Sequence, residues 1–212
     1  MKEQELYRVV EKFLRRNFGC FHVTKKPTGT KHGLIDVVGL RQSSGRYGGS
    51  AEVIAVEVKA TAGRFLNSAG QALGYSVMAD RCYLAVGGKT LNEEIRELAA
   101  QLNIGLIRVN ATRCEILLTS PQYRPVRTQK LELIRKLRFV ECVMCGTLRP
   151  RDEMMNSEEG AIHVAAQKAQ GFRYRLTGKN QSGNERRYLC HDCALRWLSE
   201  SNSNGLNFTR WI

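Results

Sequence analysis

Three ionisable residues stand in runs that are otherwise apolar. Asp36 lies within LIDVVGL (34–40), and Glu57 and Lys59 lie within VIAVEVKA (53–60). Side chains alternate along a strand, so Ala55, Glu57 and Lys59 share one face and Ile54, Val56 and Val58 the other. Charges set inside strands are costly unless they pair with one another or hold a metal. If the two strands are neighbours, Asp36 and Glu57 converge on one divalent cation, Mg²⁺ or Mn²⁺. Such a site suits phosphodiester hydrolysis: the metal polarises the phosphate and its water, and a lysine orients the nucleophile or stabilises developing charge. The plainer alternative is a salt bridge of Lys59 with Asp36 or Glu57 on a solvated face, and the apolar flanks speak against it.

A second constellation is made of cysteine. Cys142 and Cys145 form one CxxC pair, Cys190 and Cys193 another, and 44 residues separate them. Four thiolates are what a closed tetrahedral zinc site needs. Cys20, Cys82 and Cys114 are scattered, which reads as core residues of a reducing, intracellular compartment and not as a disulfide framework. His163 and His191 are bystanders in this reading.

The elements that must position these groups follow from periodicity and punctuation. Residues 2–18 predict an amphipathic helix with Leu6, Val9, Val10, Phe13 and Leu14 on its apolar face, stopped by Gly19. Strands are expected at 20–24, 34–40 and 53–60, with a Lys/Pro/Gly/Thr loop before the second and a Gly/Ser turn before the third. A helix over 65–79, a strand over 82–87, a helix over 91–102, a strand over 104–109 and an edge strand over 115–119 complete an α/β domain. This order describes a mixed sheet flanked by helices. Residues 121–138 read as a linker with a short helix, and 139–212 as a small zinc-binding module in which a hairpin precedes a helix opened by the second CxxC.

The 212 residues carry a net charge of +13 and a pI near 9.7, an excess that favours a polyanionic partner. Lys and Arg outnumber Asp and Glu by 17 to 11 in residues 1–120 and by 16 to 9 beyond. Arg15, Arg16, Lys25, Lys26 and Lys31 surround the acidic centre in sequence and are candidate phosphate contacts. In the second module, Arg173, Arg175, Lys179, Arg186 and Arg187 alternate with Phe172, Tyr174 and Tyr188, a mixture suited to backbone contact and base stacking. A protein-docking or dimer surface is the competing use of that module. No apolar run approaches the ~20 residues of a spanning helix, and the charged N-terminus has no signal-peptide core.

GLIDVVGL followed by VEVK, with 20 residues between Asp36 and Glu57, resembles the PD-(D/E)XK nuclease superfamily over roughly residues 1–120. Ile35 stands where the nominal Pro would be. The resemblance implies a restriction-endonuclease-like fold with Asp36, Glu57 and Lys59 as the active site. Glu3-Gln4-Glu5-Leu6-Tyr7-Arg8 resembles the opening helix of archaeal Holliday junction resolvases. That match implies Glu3 as a further acidic residue, with Glu5 the other candidate. Gln71 and Tyr75 resemble the supporting Q-x-x-x-Y pair of the RecB and lambda-exonuclease branch. The C-terminal pattern resembles a treble-clef zinc finger. The expectation is a Mg²⁺-dependent endodeoxyribonuclease with structural Zn²⁺, acting on duplex or branched DNA. Two alternatives stay open: a dimeric junction resolvase, and a non-catalytic DNA-binding or assembly protein on the same fold.

Overall fold

In a computed structural model of the protein, the structure describes residues 2–26, 35–42, 50–88, 90–142, 145–156, 188–193 and 195. They belong to two compact units, one drawn from Met1–Ser43 and Ala51–Leu137 and the other beginning, in the main, at Arg138. Lys31 and the basic and aromatic residues Phe172 to Arg187 lie outside the described residues.

The first unit runs α1 (Glu3–Asn17), β1 (His22–Lys25), β2 (Val37–Gln42), β3 (Ala51–Lys59), α2 (Phe65–Gly74), β4 (Arg81–Gly87), α3 (Glu93–Gln101), β5 (Gly105–Val109), β6 (Cys114–Leu118) and α4 (Arg127–Lys136). The six strands form one sheet in chain order. Pairing is antiparallel from β1 to β3, parallel from β3 through β4 to β5, and antiparallel again at β6. The expected mixed α/β sheet with flanking helices is what forms.

Helix α1 buries Leu6, Tyr7, Val10, Phe13 and Leu14, a three-and-four spacing that lines one face. Glu3 and Glu5 sit in its first turn and Arg15 and Arg16 in its last, matching the helix dipole. Gly19, at φ +67°, supplies the left-handed step that ends it. This face packs on Val37, Ile54, Val56, Val58, Tyr83 and Ala85. The opposite face of the sheet carries Leu84, Val86 and Leu106 under Phe65, Ala69 and Ala72 of α2 and Ala99 of α3. Asn92 caps α3 by accepting from Ile95 N–H at 3.3 Å. Among the described residues, no helix is long and apolar enough to cross a membrane.

Three expectations need correction. Asp36 is not inside β2 but in the bend that precedes it. Its backbone carbonyl accepts from Lys26 N–H at 2.8 Å, while its carboxylate takes the Val58 N–H at 2.9 Å, so side chain replaces backbone as the partner of β3 there. The segment 121–138 is also no plain linker. Its helix α4 begins earlier than the apolar pattern suggests and buries Leu133 and Ile134 within the first unit. Lys130 reaches the buried Asp80 at 2.8 Å and the Ala51 carbonyl at 2.5 Å. Where a long helix is expected over 65–79, α2 closes at Gly74 into a tighter 3₁₀ turn, Tyr75–Val77.

In the second unit, β7 (Phe139–Glu141) and β8 (Leu148–Pro150) form a hairpin, and β9 (Met155–Asn156) pairs with β10 (Tyr188–Leu189). Among its described residues, Val140, Cys142, Met154, Tyr188 and Cys190 form a buried cluster.

Candidate active site and metal centre

Strand β3 holds two buried glutamates with opposite surroundings. Glu52 lies between two arginines, its oxygens 2.7 Å from Arg41 Nε and 2.6 Å from Arg81 Nε. Burial works against its charge, but these bonds outweigh it and hold the carboxyl below the usual range. Glu57, only 3% exposed, has one paired cation among the described residues, Lys59, with Nζ 2.6 Å from Oε1. Its other oxygen accepts from Tyr75 Oη at 2.5 Å. Here burial wins: assisted by the nearby Asp36, it pushes the Glu57 carboxyl up despite Lys59 and Tyr75. Among the described residues, one glutamate of the strand is paired with two cations and the other with one.

The shortfall is shared. Val37 faces Val56 in the antiparallel register, so one step further places Asp36 across from Glu57. Asp36 is 8% exposed; Oδ2 accepts from Val58 N–H, and Oδ1 from Tyr7 Oη at 3.0 Å. The same Tyr7 hydroxyl lies 2.7 Å from Glu3 Oε1. One phenolic proton therefore faces two carboxylates, from α1 and from the mouth of β2. Burial, followed by these carboxylates, pushes the Tyr7 phenol well up, and burial with Glu57 does the same for Tyr75. Both phenols stay protonated donors. Burial disfavours the Lys59 ammonium, but Glu57, then Asp36 and Glu3, outweigh it and hold its pKa above the usual lysine value. Three carboxylates from three elements act on one ammonium.

Glu3, Asp36, Glu57 and Lys59 are thus brought together. Glu5 is not among them; it caps α1, accepting from Lys2 N–H at 3.1 Å. Gln71 is exposed on α2, and only Tyr75 of that pair reaches the acids. Tyr7 was not singled out by sequence, although its place four residues after Glu3, on the buried stripe of α1, was a usable signal. The salt bridge offered as the plainer reading does exist between Glu57 and Lys59, but in a buried setting.

The donor set suits a hard divalent cation. Each oxygen of Asp36 and Glu57 accepts one hydrogen bond and keeps a second lone pair. Tyr7, Val58 N–H and Tyr75 orient those oxygens as outer partners orient metal-ligating carboxylates. Glu3, Asp36 and Glu57 do not close into a three-ligand cage: among the described residues, the cluster with ligand atoms all within 4.8 Å is the four cysteines. Mg²⁺ ordinarily takes one or two carboxylates and keeps several waters, so a pair is sufficient.

Of the basic residues nearby, Arg15 and Lys25 both pair with Glu11, at 3.4 and 3.1 Å. Lys26 Nζ lies 5.1 Å above the Tyr7 ring, a cation–π contact at the edge of the acidic group.

In the second unit, Cys142, Cys145, Cys190 and Cys193 bring their sulfurs within 4.8 Å of one another, a cluster that can hold a metal ion such as zinc. Cys142 and Cys145 flank the turn between β7 and β8, where Gly146, at φ +71°, donates its N–H to the Cys142 carbonyl at 2.9 Å. Residues 191–193 are helical, so Cys193 sits in a first helical turn. The sulfurs of Cys145 and Cys190 are 3.7 Å apart. A tetrahedron with ~2.3 Å Zn–S bonds has edges of about 3.8 Å. Burial opposes ionisation of Cys145, but bonds from Thr147, Cys193 and Cys142 outweigh it and bring its pKa to about 7. Cys190 and Cys193 are pushed up, first by burial and then by the neighbouring sulfurs. Tyr188, expected as a stacking residue, is buried in this core and takes no part in a surface.

No protein-family model matches the chain, and no curated protein matches it. Among solved structures the chain is similar to the SPO1766 protein of unknown function from Silicibacter pomeroyi. The identity is 21%, over 82% of this chain and 96% of that one, with a TM-score of 0.46. At that level of likeness nothing is carried from one protein to the other.

Proposed function

We propose that the protein is a divalent-metal-dependent DNA endonuclease of the PD-(D/E)XK type. Asp36 and Glu57 are its metal ligands and Lys59 its catalytic lysine. The observation that carries this reading is the contrast along β3. A buried glutamate meant only to hold the fold is matched by two arginines at Glu52, whereas Glu57 and Asp36 share one lysine and face each other. A perturbed, under-compensated acid such as Glu57 is what functional sites keep and scaffolds avoid.

A bound divalent cation would supply Lewis-acid polarisation of the phosphate and a more acidic water. The chain's own residues do the rest. Asp36 and Glu57 offer one free lone pair on each oxygen, held in place by Tyr7, Val58 N–H and Tyr75. Lys59 keeps its proton through the physiological range, so it serves as a positive donor toward an anionic phosphate and not as a base. Glu3 acts through Tyr7 as a positioning residue for Asp36. The four-cysteine module binds structural Zn²⁺ in a treble-clef-like arrangement and adds DNA affinity.

The test is cleavage of labelled duplex, single strand, flap, splayed fork and four-way junction in Mg²⁺ or Mn²⁺, with wild type and Lys59→Ala side by side. Metal-dependent cutting that is lost in the variant is the expected result. Symmetric cutting of the junction would favour a dimeric resolvase. Binding without cutting by a folded, zinc-loaded protein would favour the non-catalytic reading and refute the nuclease.

A further inference from the structure

Every acidic side chain of α1 is engaged. Glu3 accepts from Tyr7, Glu5 from the Lys2 backbone, and Glu11 pairs with Arg15 and Lys25. Three cations of the same helix have no such partner among the described residues: Arg8, Lys12 and Arg16, all exposed. They are spaced four apart, so they share one solvent-facing stripe, about 6 Å between neighbours and about 12 Å from end to end. Like charges at this spacing oppose helix formation. The C-terminal end of the helix dipole compensates Arg16, but Arg8 and Lys12 lie before the last turn. A solvated face selected for stability alone would interleave acids there, yet the acids of α1 are all spent elsewhere. The stripe therefore costs stability that no acidic side chain among the described residues returns.

We propose that Arg8, Lys12 and Arg16 form a binding surface for the phosphodiester backbone of duplex DNA. Regularly spaced point charges with no internal partner are what successive phosphates recognise, and each contact releases condensed counterions. Arg8 directly follows Tyr7, so a backbone lying along the stripe arrives at the end of α1 that carries Glu3 and Tyr7. This surface rests on the nuclease reading for the choice of DNA as the polyanion, but it concerns binding and not cleavage.

The experiment is fluorescence anisotropy with a labelled duplex, without added Mg²⁺, over a series of salt concentrations. Three proteins are compared: wild type, R8Q/K12Q/R16Q, and a charge-matched control, R96Q/R113Q/R124Q, altered at exposed positions outside α1. Glutamine keeps helix propensity, and thermal melts check folding. Loss of three phosphate contacts makes the slope of log K against log salt shallower by roughly 2.7, at ~0.9 per contact, with affinity falling at least tenfold at low salt. The control keeps the wild-type slope. The proposal is overturned if both triple variants lose affinity equally, if the stripe variant keeps its slope, or if wild type binds no duplex. Slope loss in a protein that never cuts DNA would leave this surface standing and remove the nuclease. Cutting by wild type with an unchanged slope in the stripe variant would do the reverse.

Discussion

Tyr7 places a single hydroxyl between Glu3 and Asp36, at 2.7 and 3.0 Å, and so ties helix α1 to the mouth of β2. On the proposed reading, removing that hydroxyl takes away the outer partner of a carboxylate that would hold the metal and leaves the ring packed as before. In Tyr7→Phe, Mn²⁺ affinity and cleavage are expected to fall about 10–100-fold, with the melting temperature little changed. An isothermal titration beside a thermal melt separates this from a packing defect, which would lower both together. Glu57 makes a second prediction through pH. Its folded-state carboxyl is raised above the unfolded value of roughly 4.3. Its contribution to stability is therefore present below that value and is lost as pH rises through the raised one. A metal must displace the proton, so Mn²⁺ affinity falls on acidification with a midpoint above the ordinary glutamate value. A midpoint at or below that value would show that the burial of Glu57 does not govern the site.

At the scale of elements, β3 is the member that everything else serves. Its central, doubly covered position explains why seven of the residues from Ala51 to Val58 other than Glu57 are buried too, Glu52 among them. Its far end is pinned by Glu52 with its two arginines and by Asp80, which accepts from Val53 N–H at 2.7 Å and pairs with Lys130 of α4. Lys130→Met leaves Asp80 buried without its cation and is expected to destabilise the first unit by about 3 kcal/mol, measured by urea denaturation. A change near zero would return α4 to the status of a linker. Most of this element order was legible in the sequence. Apolar runs, β-branched residues and Gly punctuation mark all six strands of the large sheet and the first three helices. The strand alternation that sets Glu57 and Lys59 on one face is a local property, so it could be read directly. Asp36 was legible as a site residue but not as a bend, because the bond from Val58 N–H joins residues 22 apart in the chain. Helix α4 was misplaced for the same reason: its charged first turn, RTQK, hides its start, and the buried partner of Lys130 lies 50 residues away.

For the whole molecule, two units of different stability sources are joined in one strongly basic chain. The first has a sheet with apolar layers on both faces, whereas the described residues of the second are buried around four cysteines. A metal held by four thiolates would contribute folding free energy to this unit outright. The protein is expected to carry one equivalent of zinc, and chelation or Cys142→Ser should unfold the second unit while the far-UV signature of the first persists. Metal analysis reports the loss of zinc, and labelling of the four cysteines by a thiol reagent reports the opening of the cluster. A chain that folds fully with no metal bound would contradict the assignment. What sequence could not supply at this scale is the partner. Tyr188 looked like a stacking residue in a basic, aromatic stretch and is a core residue instead, because alternating composition does not distinguish the two faces of a hairpin.

The most direct measurement is the rate of product release from labelled DNA in Mg²⁺ by wild type and by Asp36→Asn, Glu57→Gln and Lys59→Met, with Mn²⁺ binding followed on the same four proteins. The expected result is cutting by wild type alone, each variant slower by at least ~100-fold, with metal binding lost in the two carboxylate variants and kept in Lys59→Met. Undiminished cutting in any of the three, or no cutting by a folded, zinc-loaded wild type on any DNA, would contradict the assignment of Asp36, Glu57 and Lys59 as a nuclease centre.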